Sequence, residues 1–295
     1  MSASTEWAGT AAGGAPGRRL KIRHATRVVY DGRAASSHNE LRMTPLTLPA
    51  QTALDARIDI APGVAPWSYW DYWGTQVTAF DLMEPHESLL IVATSLVETA
   101  PPPPLPAEPG WEEIARLLEA SKLAEFGLPT PRTAVGEEPV ARAREAAAGL
   151  GPHEAALAVA GLVRDRVAYL AGSTGVHTGA QEAWEQQAGV CQDITHLTVA
   201  LLRRVGLPAR YVSGYLHPDP DAPPHRPVAG ESHAWVEYWA GGWVAYDPTN
   251  RARAGESHVV VARGREYGDV VPHKGVYHGA PSGPPQVEVE FTRLA

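Results

Sequence analysis

The chain has one cysteine in 295 residues, so no intramolecular disulfide can form, and a working thiol would call for a reducing compartment. It has no basic excess. Its net charge of -8 and pI near 5.8 leave nothing to neutralise phosphates, which excludes nucleic acid as the default partner. No apolar stretch approaches the roughly 20 residues of a spanning helix, and residues 1–18 lack the apolar core of a signal peptide. These absences predict a cytoplasmic protein with no membrane segment and a disordered terminus over 1–18. HExxH, a close histidine pair and a second cysteine are also missing. The twelve histidines, including His217, His225 and His233 at spacings of eight, therefore predict no metal and no other cofactor. Asp219 and Asp221 are too few for a calcium loop.

What the chain does have is 44% hydrophobic and 20% charged residues, ample for a core and suggestive of about two domains. Residues 19–100 read as strands. Leu20–Tyr30 alternates in part, and Ser88–Val97 is a long apolar strand. Leu54, Ala56, Ile58 and Ile60 alternate with polar residues and should face a core. Asp31-Gly32, Pro62-Gly63, Trp73-Gly74 and Pro85-His86 punctuate these runs as turns, which suggests a small all-β sandwich. Trp67, Trp70 and Trp73 with Tyr69 and Tyr72 should pack at a domain interface, or else offer a peptide-binding surface. The proline-rich segment 101–110 can join neither helix nor sheet interior and reads as a stiff spacer.

Residues 111–295 open with helical periodicity over 111–126, 137–148 and 153–169. Thr178-Gly179-Ala180-Gln181 has a capping-box pattern starting a helix that Gly189 would end. The period then falls to two over 210–216, 232–239, 243–246, 258–262 and 286–291. Helices followed by antiparallel strands predict an α+β domain. Between these groups, Ile194, Leu197, Leu201 and Val205 mark a helix that begins at Cys191 and stops at Gly206-Leu207-Pro208. A cysteine in the first turn of a helix meets the positive end of the macrodipole, which favours thiolate. Ser232-His233-Ala234-Trp235 and Tyr246-Asp247-Pro248-Thr249-Asn250 follow. Cys191, His233 and Asp247 thus offer a nucleophile, a base and an orienting carboxylate. Asp193 suits the helix dipole and His196 a hydrogen-bonded core position. His217–Glu231 reads as a lid beside the site or a solvated loop.

Hairpin geometry constrains the set. A two-residue loop, Gly241-Gly242, would set Asp247 opposite Val236 and Asn250 opposite His233. A three-residue loop, Ala240-Gly241-Gly242, pairs Trp239 with Trp243 and Trp235 with Asp247. Asp247 then lies diagonal to His233 on one face, about 7–8 Å away between backbones. The triad requires the longer loop, with a left-handed glycine at its end.

Gly189-Val190-Cys191-Gln192-Asp193 with His196, the run Gly206 to Leu216, His233-Ala234-Trp235-Val236-Glu237, Gly242-Trp243 and Asp247-Pro248-Thr249-Asn250 together resemble the bacterial branch of the transglutaminase-like superfamily. Arg265-Glu266-Tyr267-Gly268-Asp269-Val270 adds a weaker match. The resemblance implies a papain-like core, its nucleophile helix packed on an antiparallel sheet, preceded by the family's β domain. It also implies a Cys191–His233–Asp247 triad that cleaves or transfers acyl groups of a peptide or protein substrate through a thioester. Hydrolysis as a protease or amidase is expected ahead of cross-linking, and a catalytically retired interaction scaffold is the alternative. The Cys191 N–H would serve the oxyanion. Trp184 could add a second donor, core packing being its other role, and Gln192, Tyr215 and Trp235 are further candidates for substrate contact.

Overall fold

The computed structural model describes residues 17–175 and 177–294. Most of the expected disordered terminus lies outside the described residues, and Arg18 already opens a strand. The first part of the chain forms β1 (Arg18–Leu41), β2 (Gln51–Ala61), β3 (Trp67–Trp70), β4 (Gln76–Leu82) and β5 (His86–Thr99). The helical part follows, with α1 (Trp111–Ala120), α2 (Glu137–Ala147), α3 (Pro152–Arg166), β6 (Ala168–Tyr169), α4 (Ala180–Gln186), β7 (Ala188–Gly189) and α5 (Cys191–Arg204). The remainder is β8 (Ala209–Leu216), β9 (Pro227–Gly230), β10 (Ser232–Trp239), β11 (Trp243–Asp247), β12 (Ala252–Arg253), β13 (His258–Gly264), α6 (Tyr267–Val270), β14 (His273–Gly279) and β15 (Gln286–Arg293). The fold is α+β.

Strand β1 organises the first sheet. Its N-terminal half lies between β5 and β15, and its C-terminal half between β4 and β14. Asp31-Gly32 is therefore not a chain-reversing turn. It sits where the β1–β5 register slips between Val29 and Ala34, so the strand bends and continues. The bend lets the sheet curl over its own core, with Val28, Tyr30 and Leu41 meeting Phe80, Leu89 and Ile91. Leu54 departs from expectation. A bulge between Ala53 and Asp55 of edge strand β2 breaks the alternation there and leaves Leu54 exposed, Ala56 is exposed as well, and Ile58 and Ile60 still reach the core.

A boundary at the proline segment does not separate two independent units. β14 and β15 return from the far end of the chain to pair with β1, so the catalytic half expected over 111–295 contributes its last strands to the first sheet. Local periodicity reveals a strand but not its partner. Residues 101–110 are extended but are no spacer. Pro102 lies against Gly255, Pro106 against Gly242 and Ala107 against Gly241, while Arg253 Nη2 donates to the Pro103 carbonyl at 2.6 Å.

The second sheet has the order β12-β11-β10-β8-β13, all antiparallel. Helix α5 packs on it through Ile194, Leu197 and Leu201, which meet Val236, Tyr238 and Val244. The helix closes with a Schellman arrangement, Leu207 N–H to Leu202 O at 2.9 Å and Gly206 N–H to Arg203 O at 3.1 Å. Helix α4 starts and stops differently from expectation. The Thr178 hydroxyl accepts from Gly175 N–H instead of capping, and Gln187, left-handed at φ 56°, ends the helix before Gly189.

Between the sheets a second core joins Leu20, Ile22 and Phe291 to Tyr211, Tyr215 and Val259. Phe291 is wholly buried there. Phe291→Ala should therefore cost about 3–5 kcal/mol in urea unfolding. Val287→Ala, near the start of the same strand and 53% exposed, should cost well under half of that.

Candidate active site

Cys191 is the first residue of α5, and the start of that helix is tightly held. Asp193, buried, accepts from Val190 N–H at 2.8 Å and from the Thr174 hydroxyl at 2.6 Å, both through Oδ2. Burial pushes the Asp193 carboxyl up, against these hydrogen bonds. The glycine before Val190 is obligatory, since a Cβ on Gly189 would lie 2.8 Å from Asp193 Cβ. Asp193 and Ile194 N–H both turn back to Val190 O. Among the described residues, the N–H groups of Cys191 and Gln192 are left without a protein acceptor, as the first turn of a helix requires.

The β10–β11 pairing sets Trp239 opposite Trp243 and Val236 opposite Tyr246, the register of a three-residue loop. The left-handed residue is the middle one, Gly241 at φ 87°, and not the last. A Cβ there would also strike the Ala107 carbonyl at 2.1 Å, so the strap and the loop need the same glycine. In this register Asp247 reaches the His233 side of the sheet, and its Oδ2 lies 2.7 Å from His233 Nε2. The other imidazole nitrogen is free of the carboxylate, and Cys191 lines the same cleft as His233 and helps to raise the ring's pKa. Asn250 does not take the orienting place. Its side-chain amide donates to Asp247 Oδ2 at 2.7 Å, while the Thr249 and Asn250 N–H groups donate to Oδ1.

A residue the sequence reading passes over completes the set. His258, at the start of β13, places Nε2 3.2 Å from the same Asp247 oxygen. Its Nδ1 accepts from Gly255 N–H at 3.2 Å, which assigns the proton to Nε2 and makes His258 a donor to the carboxylate. Only the β13–β8 pairing brings it there, and periodicity carries no trace of that. Burial alone would raise the Asp247 carboxyl, but hydrogen bonds from His233, His258 and Asn250 hold it well below the usual carboxylate range. Burial alone would lower His233, yet Asp247 and Cys191 bring it up to about 9. His233, Asp247 and His258 offer three ligand atoms within 4.8 Å of one another, the one such group among the described residues. Their mutual hydrogen bonds account for that closeness.

Two hollows of about 530 and 450 Å3 meet at Cys191 and His233 and form one cleft. Arg164 and Asn250 line the first, Gln192, Tyr267 and Val289 the second, and Tyr169 and Glu231 both. The segment 217–231, expected as a lid or a solvated loop, includes β9, which is paired with β15 from Gly230–Val289 to Pro227–Thr292. The first sheet thus supplies part of the cleft wall.

The transglutaminase-like superfamily model matches residues 140–248, and the bacterial transglutaminase-like N-terminal region matches residues 20–98. The uncharacterized Mycobacterium leprae protein ML0607 is 42% identical over 277 residues, covering 94% of this chain and 99% of its own. The chain belongs to the transglutaminase-like superfamily. The Mycobacterium tuberculosis protein Rv2569c is 33% identical over 282 residues, 88% of each chain. A Cytophaga hutchinsonii protein, named provisionally as a cysteine protease, shares the fold at a TM-score of 0.75 and 20% identity, over 95% of this chain and 92% of that one. The superfamily is one of thiol-dependent hydrolases and acyltransferases. No helix among the described residues is long and apolar enough to cross a membrane.

Within this transglutaminase-like site the remaining candidates divide. Gln192 lines the cleft beside Cys191. Trp184 is no oxyanion donor: its indole N–H is bonded to Glu138, Arg166 lies over its ring, and the ring sits in the helical core. Tyr215 is buried between the sheets, where its hydroxyl meets His24 Nδ1 at 2.9 Å, so it joins the two sheets instead of touching substrate. Trp235 lies behind the site, stacked on His233 at 6.1 Å and edge-on to His258 at 5.2 Å, fully buried. His196 is a core residue whose Nε2 accepts from Tyr267 N–H at 3.0 Å, and burial lowers it to about 3. Of the aromatic stretch, Trp73 packs on Phe126 and thence on Trp243, whereas Trp67, Trp70 and Tyr72 stay exposed.

The His233–Asp247 pair has a signed pH dependence. A histidine raised from its usual value of about 6.5 to about 9 adds stability that is complete below pH 6.5 and lost as pH climbs through 9. The urea midpoint should fall over that window in the native protein, and Asp247→Asn should remove most of the fall. The imidazole NMR titration of His233 should move from about 9 toward lower pH in the same variant.

Proposed function

We propose that this protein is a cytoplasmic cysteine hydrolase acting on peptide, isopeptide or other carboxamide bonds, with Cys191, His233 and Asp247 as its catalytic triad. The observation that supports this reading is the His233–Asp247 hydrogen bond, with His233 and Cys191 lining the same cleft. Cys191 attacks the scissile carbonyl carbon, and the carbonyl oxygen takes up negative charge near the uncommitted N–H groups at the start of α5. His233, protonated on the nitrogen facing Cys191, gives that proton to the departing amine, and the C–N bond breaks to leave a thioester. Water, deprotonated by His233, then attacks the thioester, releases the acid and restores the thiol. An amine in place of water would give transfer. Asp247 keeps the imidazole in the required tautomer and stabilises its charged form.

A mass-spectrometric screen of peptides, alone and with added primary amines, tests the proposal. The native protein should produce shortened or deamidated products, and Cys191→Ser, similar in volume, should fold but produce none. Asp247→Ala should lower kcat by about 10²–10⁴ while leaving KM nearly unchanged. Turnover surviving in Cys191→Ser would sink the assignment. Absence of any product, with no labelling of Cys191 by a thiol-reactive probe, would favour a retired scaffold.

A further inference from the structure

A cavity of about 360 Å3 lies behind Trp235 and shares no lining residue with the two hollows of the cleft. The proline segment forms one side of it, and Trp235 and Trp243 form the other, so its walls are flat and apolar. Its charges do not balance. Arg210, Arg253 and Arg263 line it against Glu237 alone, a net charge of +2.

Glu237 is wholly used. Its Oε2 accepts from Arg210 Nε at 2.6 Å, and its Oε1 accepts from Arg263 Nη2 at 2.8 Å and Nε at 3.2 Å. One buried carboxylate therefore serves two guanidiniums whose side chains are only 15% and 19% exposed. A cation held away from water without a counter-charge is costly. Stacking of Arg210 on Trp243, 4.0 Å from the ring centre, offsets part of that cost. Burial lowers Arg210 to about 10, which leaves it charged at neutral pH. The Trp235 indole N–H is also fully buried and has no acceptor. Surplus cation and flat apolar walls converge on one ligand chemistry.

We propose that this cavity is a second binding site, for a small aromatic carboxylate, its ring between the proline segment and the two tryptophans and its carboxylate on Arg263 and Arg210. The volume suits a bicyclic acid. The occupant would abut Trp235 and His258, the two side chains that back His233 and Asp247.

Calorimetric titration of the intact protein with indole-3-acetate and with its neutral isostere indole-3-acetamide tests this. The acid should bind at least tenfold tighter than the amide. Arg263→Gln should weaken the acid at least tenfold and leave the amide unchanged, and Ala254→Trp, which fills the cavity, should remove both. Equal affinity for acid and amide, no binding of either at millimolar concentration, or acid binding untouched by both substitutions would each overturn the proposal. Should Arg263→Gln not fold, the acid-against-amide comparison on the unaltered protein carries the same test. None of these readouts involves Cys191 chemistry, so their failure leaves the catalytic reading standing, and failure of that reading leaves this one.

Discussion

The Asp247 carboxylate has no contact with solvent yet carries a full charge, and the second sheet is arranged around that constraint. Taking such a charge out of water costs several kcal/mol, and only directed donors can offset it. Three segments supply them: His233 from β10, the Thr249 and Asn250 amides with the Asn250 side chain, and His258 from β13. The Thr249 and Asn250 donors belong to the turn that follows Asp247, whereas both histidines are where they are because of strand register. A slip of one residue on β11 would send Asp247 to the opposite face, leaving two histidines without their acceptor. The hairpin loop that prevents the slip is itself clamped by the proline segment over Gly241.

The first sheet is coupled to the same arrangement. β1 pairs with β15, β15 pairs with β9, and β9 runs directly into Glu231, Ser232 and His233. The cleft wall is therefore continuous with the sheet that the N-terminal strands begin. His24 and Tyr215 bridge the two sheets through a buried hydrogen bond, and burial lowers His24 to about 4, so this joint is uncharged at neutral pH. Loss of either sheet would expose the apolar layer of Ile22, Phe291 and Val259 between them.

Features written in local pattern are legible in the chain. The i, i+3, i+7 spacing of Ile194, Leu197 and Leu201 places the helix, and Gly206-Leu207 ends it. The alternation from Ser232 to Trp239 places the strand that bears His233, but the chain alone allows a two-residue or a three-residue loop, and the pairing of Trp239 with Trp243 decides the register on which Asp247 depends. What local pattern cannot hold is the identity of a distant partner. His258 sits eleven positions beyond Asp247 and enters only because β13 pairs with β8. Residues 227–230 form a strand only because β15 offers them an edge, and Leu54 turns outward at a bulge that no alternation encodes. Trp184 illustrates the opposite failure: an indole N–H near a cysteine in sequence suggests an oxyanion donor until Glu138 is seen to hold it.

The catalytic arrangement depends on the register that brings Asp247 to His233, and shortening the loop tests that register most directly. The rate of Cys191 alkylation by iodoacetamide at neutral pH, compared with free cysteine, should be high in the native protein. In a variant lacking one glycine of Gly241-Gly242 it should drop to about that of free cysteine, although Cys191, His233 and Asp247 are all still present. A folded loop-shortened variant that kept the full native rate would contradict the account.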